Sequence, residues 1–272
     1  MSENYPSPNP IPCQLNSADL LEHFDMPSMA TSASWKDYPE SIKDHKERNH
    51  PLFIRKLIRK ACMRGGLVYD PMCGIGTVQK EASRIGRIGK GWDVRGAFRD
   101  TVESMDPDFL LYMPGKNSVD AAVTSPSYLK TNKSPGRDAR SQETARKVGS
   151  KQGTEWAREV GYEFYDISMS KNLDEWWRKT QLVVKKTVAA LKPGGKLVWV
   201  VRERIERQQA AGFVKYNLSK LSTFPGLKYL GYYSRTLYPG AWQQLQCRKY
   251  FLDTGRAGVY GDKEYAMVFK KT

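Results

Sequence analysis

Two stretches of the 272-residue sequence hold residue types whose spacing could do chemistry. In the first, Asp70-Pro71-Met72-Cys73-Gly74-Ile75-Gly76-Thr77, an acid is followed by a Gly-x-Gly turn and then a helical run. Glycines at such a turn let backbone approach a ligand closely, and a helix N-terminus offers free N–H groups. The short apolar run Leu67-Val68-Tyr69 places the acid at the carboxyl end of a strand, where nucleotide-type sites of α/β proteins lie. A dinucleotide fingerprint needs a third glycine three residues after Gly76, and Gln79 stands there. No Gly-Lys-Ser/Thr follows, so a P-loop is also excluded. The remaining cofactor class is S-adenosylmethionine, which has no phosphates to cradle. It calls for an acid after the first strand, a tight glycine turn, and an acid ending the second strand. Asp93, closing Gly89-Lys90-Gly91-Trp92-Asp93, is that second acid, and its carboxylate can accept from both ribose hydroxyls.

The second stretch is Thr124-Ser125-Pro126-Ser127-Tyr128, a polar–Pro–x–aromatic turn after the strand Ala121–Thr124. With it the sequence resembles the amino-methyltransferases that modify exocyclic nitrogens of DNA bases. Those enzymes carry an Asp-Pro-Phe-x-Gly-Ser-Gly-Thr cofactor motif and a Ser/Asp/Asn-Pro-Pro-Tyr catalytic motif. Three further stretches are similar: Asn49-His50-Pro51-Leu52-Phe53, Leu191-Lys192-Pro193-Gly194-Gly195-Lys196-Leu197-Val198, and Lys263-Glu264-Tyr265-Ala266-Met267-Val268-Phe269-Lys270. The likeness runs from about Trp35 onward. Ser127 departs from the second proline of the family turn, and Ile75 from the serine of the cofactor motif.

The resemblance implies a set of roles. His50, Pro51, Asp70, Pro71, Met72, Cys73, Gly74, Gly76, Thr77 and Asp93 would bind S-adenosylmethionine, with His50 at its methionine end. Ser125 and Pro126 would be catalytic, through a hydroxyl and a backbone carbonyl directed at the hydrogens of the target amino group. Tyr128 would stack on a base flipped out of the duplex. Transfer is then a direct displacement governed by positioning and electrostatics. It forms no covalent intermediate and uses no catalytic cysteine or metal.

In that family a serine at the first motif position goes with N4 of cytosine, and Asp or Asn with N6 of adenine. The expected activity is therefore site-specific cytosine-N4 methylation of DNA, with adenine-N6 methylation as the sister activity. A cognate restriction endonuclease is a further expected partner. Two other readings stand beside it. The guanine-N2 methyltransferases of tRNA share a similar Asp-Pro-Met-Cys-Gly-x-Gly-Thr turn. They carry an extra RNA-binding domain before it and Asn/Asp-Pro-Pro at the catalytic turn. A non-catalytic DNA-binding relative would be marked by Ser127.

The elements that must position these residues follow from periodicity. Residues 51–64 place apolar pairs at helical spacing, with Pro51 suited to the first turn. Helices are also expected over Thr77–Ile85 and residues 173–191, the latter capped by Asn172. LNSADLLEHF, residues 15–24, reads as a helix capped by Asn16 or Ser17. Strands are expected at 67–69, 88–94, 121–124, 196–201, 228–236 and 264–270, the last two closing the chain as a hairpin. Strand–helix alternation means an α/β fold. The resemblance makes it the Rossmann-like class I methyltransferase fold: a seven-stranded, mostly parallel sheet with one antiparallel strand and helices on both faces. Residues 1–34 form an N-terminal arm, partly disordered or docked, and residues 35–272 the catalytic domain.

Charge sharpens the partner. The chain carries 44 Lys+Arg against 29 Asp+Glu, a net +15. Residues 1–40 are acidic, with one Lys and six acids. Residues 41–60 hold seven basic and two acidic residues, as do residues 130–151. Basic clusters bind a polyanion by neutralising phosphates and releasing counterions. The base-reading region is either the basic insert 130–172 or residues 203–258; the insert is favoured because it follows the catalytic turn directly, with Lys130, Lys133, Arg137 and Arg140 as its candidate DNA contacts.

Other features exclude alternatives. A 40% hydrophobic and 11% aromatic content supports a packed core. No run approaches the ~18 apolar residues of a membrane-spanning helix. No secretory signal is visible, and four cysteines without CxxC spacing suit a reducing, cytoplasmic compartment. Pro12-Cys13-Gln14 imitates a cytosine-C5 nucleophile motif but lies before the cofactor motif rather than after it. Cys73 belongs to the cofactor turn, and Trp176 and Trp177 to a helix core face. His23, His45 and His50 are too scattered for a metal site, and Trp35, Tyr38 and Trp242 lie in polar context.

Overall fold

The computed structural model describes residues 9–11, 14–26, 50–74, 76–92, 114–126, 170, 172–203, 205–206, 209–237, 253–254 and 259–272. In chain order the strands are β1 (Asn9–Ile11), β2 (Leu20–Phe24), β3 (Leu67–Asp70), β4 (Ile88–Gly91), β5 (Val119–Thr124), β6 (Leu191–Arg202), β7 (Ile205–Glu206), β8 (Gln209–Ala210), β9 (Leu227–Thr236), β10 (Val259–Gly261) and β11 (Lys263–Lys271). The helices are α1 (Pro51–Ala61), α2 (Thr77–Arg84), α3 (Leu173–Ala190) and α4 (Phe213–Ser222).

Seven strands make one sheet in the order β2-β9-β11-β6-β5-β3-β4. Six share one direction, and β11 runs against both of its neighbours, β6 and β9. With helices on both faces, this is the Rossmann-like class I methyltransferase fold. Short pairs β1–β10 and β7–β8 stand outside the main sheet.

Side chains alternate along the buried strands, as the pleat requires. Val68, Ala121, Val123, Val198, Val200 and Ala266 join a core with α1 and α2, around Phe53, Ile54, Leu57, Ile58, Val78 and Ala82. Tyr69, Ala122, Trp199, Val201, Tyr265 and Met267 join the opposite core with α3 and α4, around Trp176, Val184, Phe213 and Leu221. Trp176 is fully buried and meets Phe213 edge-on, at 5.0 Å between ring centroids. The two tryptophans of α3 therefore serve packing; Trp177 leans on Phe224.

The ends of the elements are fixed by specific groups. Asn172 caps α3, its side chain accepting from Glu175 N at 2.9 Å. Lys271 Nζ donates to Leu191 O just past the far end of α3 at 2.6 Å, placing a cation where the helix dipole favours one. α4 begins at Gly212 without a capping side chain of its own. The buried Glu203 carboxylate at the end of β6 accepts from Phe213 N at 2.8 Å instead.

One expectation is overturned. Residues 15–24 are not a helix: Ser17–Asp19 form a single 3-10 turn, capped by Asn16, and Leu20–Phe24 are β2. β2 pairs parallel with β9 and supplies the seventh strand, which periodicity had not located. The reason is tertiary. β9 otherwise presents an open edge of unpaired backbone groups, and pairing outweighs the modest helix propensity of a short segment. Phe24 then seals the α1 core, stacked on Tyr233 at 5.5 Å and edge-on to Phe53. A second element, α4, lies in a stretch where periodicity predicts no helix.

No helix among the described residues is long and apolar enough to cross a membrane.

Candidate functional site

The chain runs from β3 to β4 on one side and then to β5 on the other, so strand order reverses at β3. The crevice beyond the carboxyl ends of strands at such a reversal is where open α/β sheets bind ligands. Both sequence motifs end there. Tyr69 pairs with Ala122, so Asp70 closes β3 close beside the end of β5 at Thr124, and Ser125-Pro126 continues from it.

The first motif is tied to its neighbours through backbone. Asp70 is buried, and its carboxylate accepts from Met72 N at 3.0 Å, folding the chain back on itself. Trp92 N donates to Asp70 O, and Cys73 N donates to Trp92 O, each at 3.0 Å. These bonds lash the turn to the end of β4. Pro71 is buried and Met72 partly so, packed against the α3 core. Gly74 and Gly76 have φ of 51° and 76°, left-handed values that a side chain would strain. Gly76 is the N-cap of α2 and brings no capping side chain, so the first turn of the helix faces the crevice with its N–H groups.

α1 brings the next pair. Its last turn lies near the start of β3, so its first residues stand at the carboxyl edge. His50 is its N-cap, 4% exposed, and Pro51 its buried first residue. A buried carboxylate joins α1 to α2: Glu81 meets Arg55 at 2.6 Å and Arg84 at 3.3 Å. That clamp sets His50 and Pro51 relative to the glycine turn.

Just past the end of β5, Ser125 is half-buried and Pro126 buried. Thr124, wholly buried, is level with Trp199 of β6. Three buried polar side chains at this edge end in atoms without a hydrogen-bond partner: Thr77 Oγ1, both amide atoms of Gln79, and Thr124 Oγ1. Buried polar atoms are nearly always paired, so such a cluster marks a place where a polar ligand completes the bonding. An acid-ended strand, a glycine turn and neutral donor–acceptor groups suit the adenosyl part of S-adenosylmethionine. No cationic side chain stands in the turn, as a pyrophosphate would favour.

The structure thus brings His50, Pro51, Asp70, Pro71, Met72, Cys73, Gly74, Gly76, Thr77, Ser125 and Pro126 to one edge of one sheet. Asp93, Tyr128, Lys130, Lys133, Arg137 and Arg140 lie outside the described residues, as do Ile75, Ser127 and all of the insert except Ser170 and Asn172. Cys73 is buried. Burial pushes the Cys62 thiol up to about 11, which keeps it protonated and unreactive at neutral pH.

Two residues here carry no sequence signal for their place. Gln79 stands in sequence only where a third glycine would be. Glu203 caps α4, which follows ten residues later.

No protein-family model matches this sequence, and no curated protein matches it. Among solved structures, a TehB-like SAM-dependent methyltransferase from Corynebacterium glutamicum is similar at 14% identity, over 80% of this chain and 87% of its own, with a TM-score of 0.41. The 1,6-didemethyltoxoflavin-N1-methyltransferase of Burkholderia thailandensis, solved with S-adenosylhomocysteine, is similar at 12% identity over 88% and 84%, with a TM-score of 0.43. A SAM-dependent O-methyltransferase from Thermotoga maritima is similar at 14% identity over 86% and 70%, with a TM-score of 0.42. These likenesses are too distant to bear on substrate or cofactor.

Proposed function

We propose that the protein is an S-adenosylmethionine-dependent DNA methyltransferase that acts on the exocyclic N4 amino group of cytosine. One observation carries the reading: the Asp70 turn on β3 and the Ser125-Pro126 turn on β5 flank the same strand-order reversal. A cofactor-type turn and a catalytic-type turn so placed can serve one reaction.

When bound, S-adenosylmethionine supplies an electrophilic methyl group on a sulfonium. The Asp70 turn and the first turn of α2 hold its nucleoside end, with Asp93 for the ribose hydroxyls. His50 and Pro51 line the methionine end. An amino group on a base is a weak nucleophile because its lone pair is delocalised into the ring. The Ser125 hydroxyl and Pro126 carbonyl accept its two N–H bonds and turn the lone pair outward. The cofactor would give up its methyl group to the amino nitrogen and leave as the neutral thioether S-adenosylhomocysteine, and the proton shed by nitrogen would pass to solvent water. Tyr128 stacks on the base, which a duplex must extrude to deliver. A net charge of +15 suits the phosphates around that base. Ser125 at the first position of the turn favours cytosine over adenine.

The test is transfer of a labelled methyl group to duplex DNA, single-stranded DNA and tRNA in parallel. Label in DNA recovered as N4-methylcytosine supports the proposal. Label in tRNA alone moves the chain to the guanine-N2 class, and cofactor binding without transfer to any of them marks a non-catalytic relative.

A further inference from the structure

Gln79 lies in the first turn of α2, and its backbone sits directly over Gly89 of β4. A Cβ on Gly89 would stand 2.5 Å from the Gln79 carbonyl oxygen and 2.6 Å from its Cα. From there the side chain runs along β4 to Gly91. Its terminal amide fills the space a Cβ on Gly91 would need, and the Cys73 Cβ is 2.8 Å from the same point. The step from Gly89 to Gly91 leads toward the carboxyl edge. The amide is therefore delivered beneath the glycine turn, at the end of the strand that Asp93 follows.

Gln79 is 2% exposed, and neither Nε2 nor Oε1 has a hydrogen-bond partner. A buried amide left in this state loses its bonds to water and gains none in return. An unbranched apolar side chain would fill the same channel without that penalty. The two glycines on β4 make room for a group whose polar atoms the protein itself does not use.

We propose that Gln79 is a cofactor-binding residue, whose amide completes its hydrogen bonds on the adenosyl half of bound S-adenosylmethionine. The inference rests on the reading of this edge as the cofactor site. The adenosyl half is indicated by place and by chemistry. The amide lies on the β4 side, away from His50 and Ser125. Ribose hydroxyls and ring nitrogens are neutral donors and acceptors that match an amide, whereas the methionine end is charged. Thr77, two residues earlier, likewise has a buried hydroxyl without a hydrogen-bond partner.

The experiment measures binding of adenosine and of S-adenosylhomocysteine by calorimetry to the full chain and to Gln79→Met and Gln79→Ala. The melting temperature of each ligand-free protein is recorded beside it. Both variants are expected to bind both ligands about tenfold more weakly, the loss of one hydrogen bond to a buried partner. Ligand-free Gln79→Met is expected to melt at or above the parent. Adenosine affinity within twofold of the parent in both variants would overturn the role of Gln79. So would a loss of affinity that tracks a lowered melting temperature, which would mark Gln79 as packing only. If the parent protein itself binds neither ligand, the reading of the whole site falls, and this inference with it.

Discussion

The Gln79 amide occupies the position a side chain on Gly91 would require, which locks the first turn of α2 onto the end of β4. Gly91→Ala therefore forces a buried amide aside and presses on Cys73, and should cost about 2 kcal/mol in denaturant unfolding. Gln79→Ala in the same chain should restore most of that loss. Gly89→Ala meets Gln79 backbone instead of side chain, so it should cost more, about 3 kcal/mol, and show no rescue.

The Arg55–Glu81 pair should govern cofactor affinity from a distance. Glu81 is fully buried and holds α1 against α2. Glu81→Ala leaves Arg55 unpaired and should lower stability by about 3 kcal/mol. Because α1 then shifts relative to the glycine turn, affinity for S-adenosylhomocysteine should fall with it, while the milder Arg84→Ala leaves both nearly unchanged.

Asp120 predicts a pH dependence remote from the site. Burial pushes its carboxyl up, but the hydrogen bonds from Lys192 and Leu67 N outweigh this and hold it below its usual value. A carboxylate with a lower pKa folded than unfolded adds stability above its unfolded pKa, and loses that contribution as pH falls through the folded one. Asp120→Ala should therefore unfold about 1 kcal/mol more readily at pH 7. The gap should close below about pH 4. Methyl transfer should not change, because Asp120 lies at the opposite end of β5 from Ser125.

Ser125→Ala and Tyr128→Ala should each lower turnover about a hundredfold or more while cofactor affinity stays within twofold. Asp93→Ala should do the reverse and weaken the cofactor. Equal loss of cofactor binding in the first two would make the Ser125 turn structural.

Much of this arrangement was legible in the sequence. The strands around Leu67, Ala121 and Leu197 are apolar runs bounded by turn residues, and buried parallel strands have that signature. Asp70 and Ser125 could be placed because each terminates such a run. β2 was hidden, because Leu20–Phe24 is too short to show a period and is ordered by the open edge of β9, far away in sequence. The packing of α2 was half visible. A third glycine was sought at 79, on the helix, whereas the small residues stand across from it at 89 and 91, on the strand. Close helix–strand approach needs a gap on one side only, and no single-element pattern says which.

On the proposed function the Ser125 turn acts on cytosine. The most direct measurement is digestion of duplex DNA methylated by the purified protein, followed by mass identification of the modified nucleoside. The proposed function predicts N4-methylcytosine, lost in Ser125→Ala. N6-methyladenine in its place, or no methylated nucleoside in DNA, would contradict it.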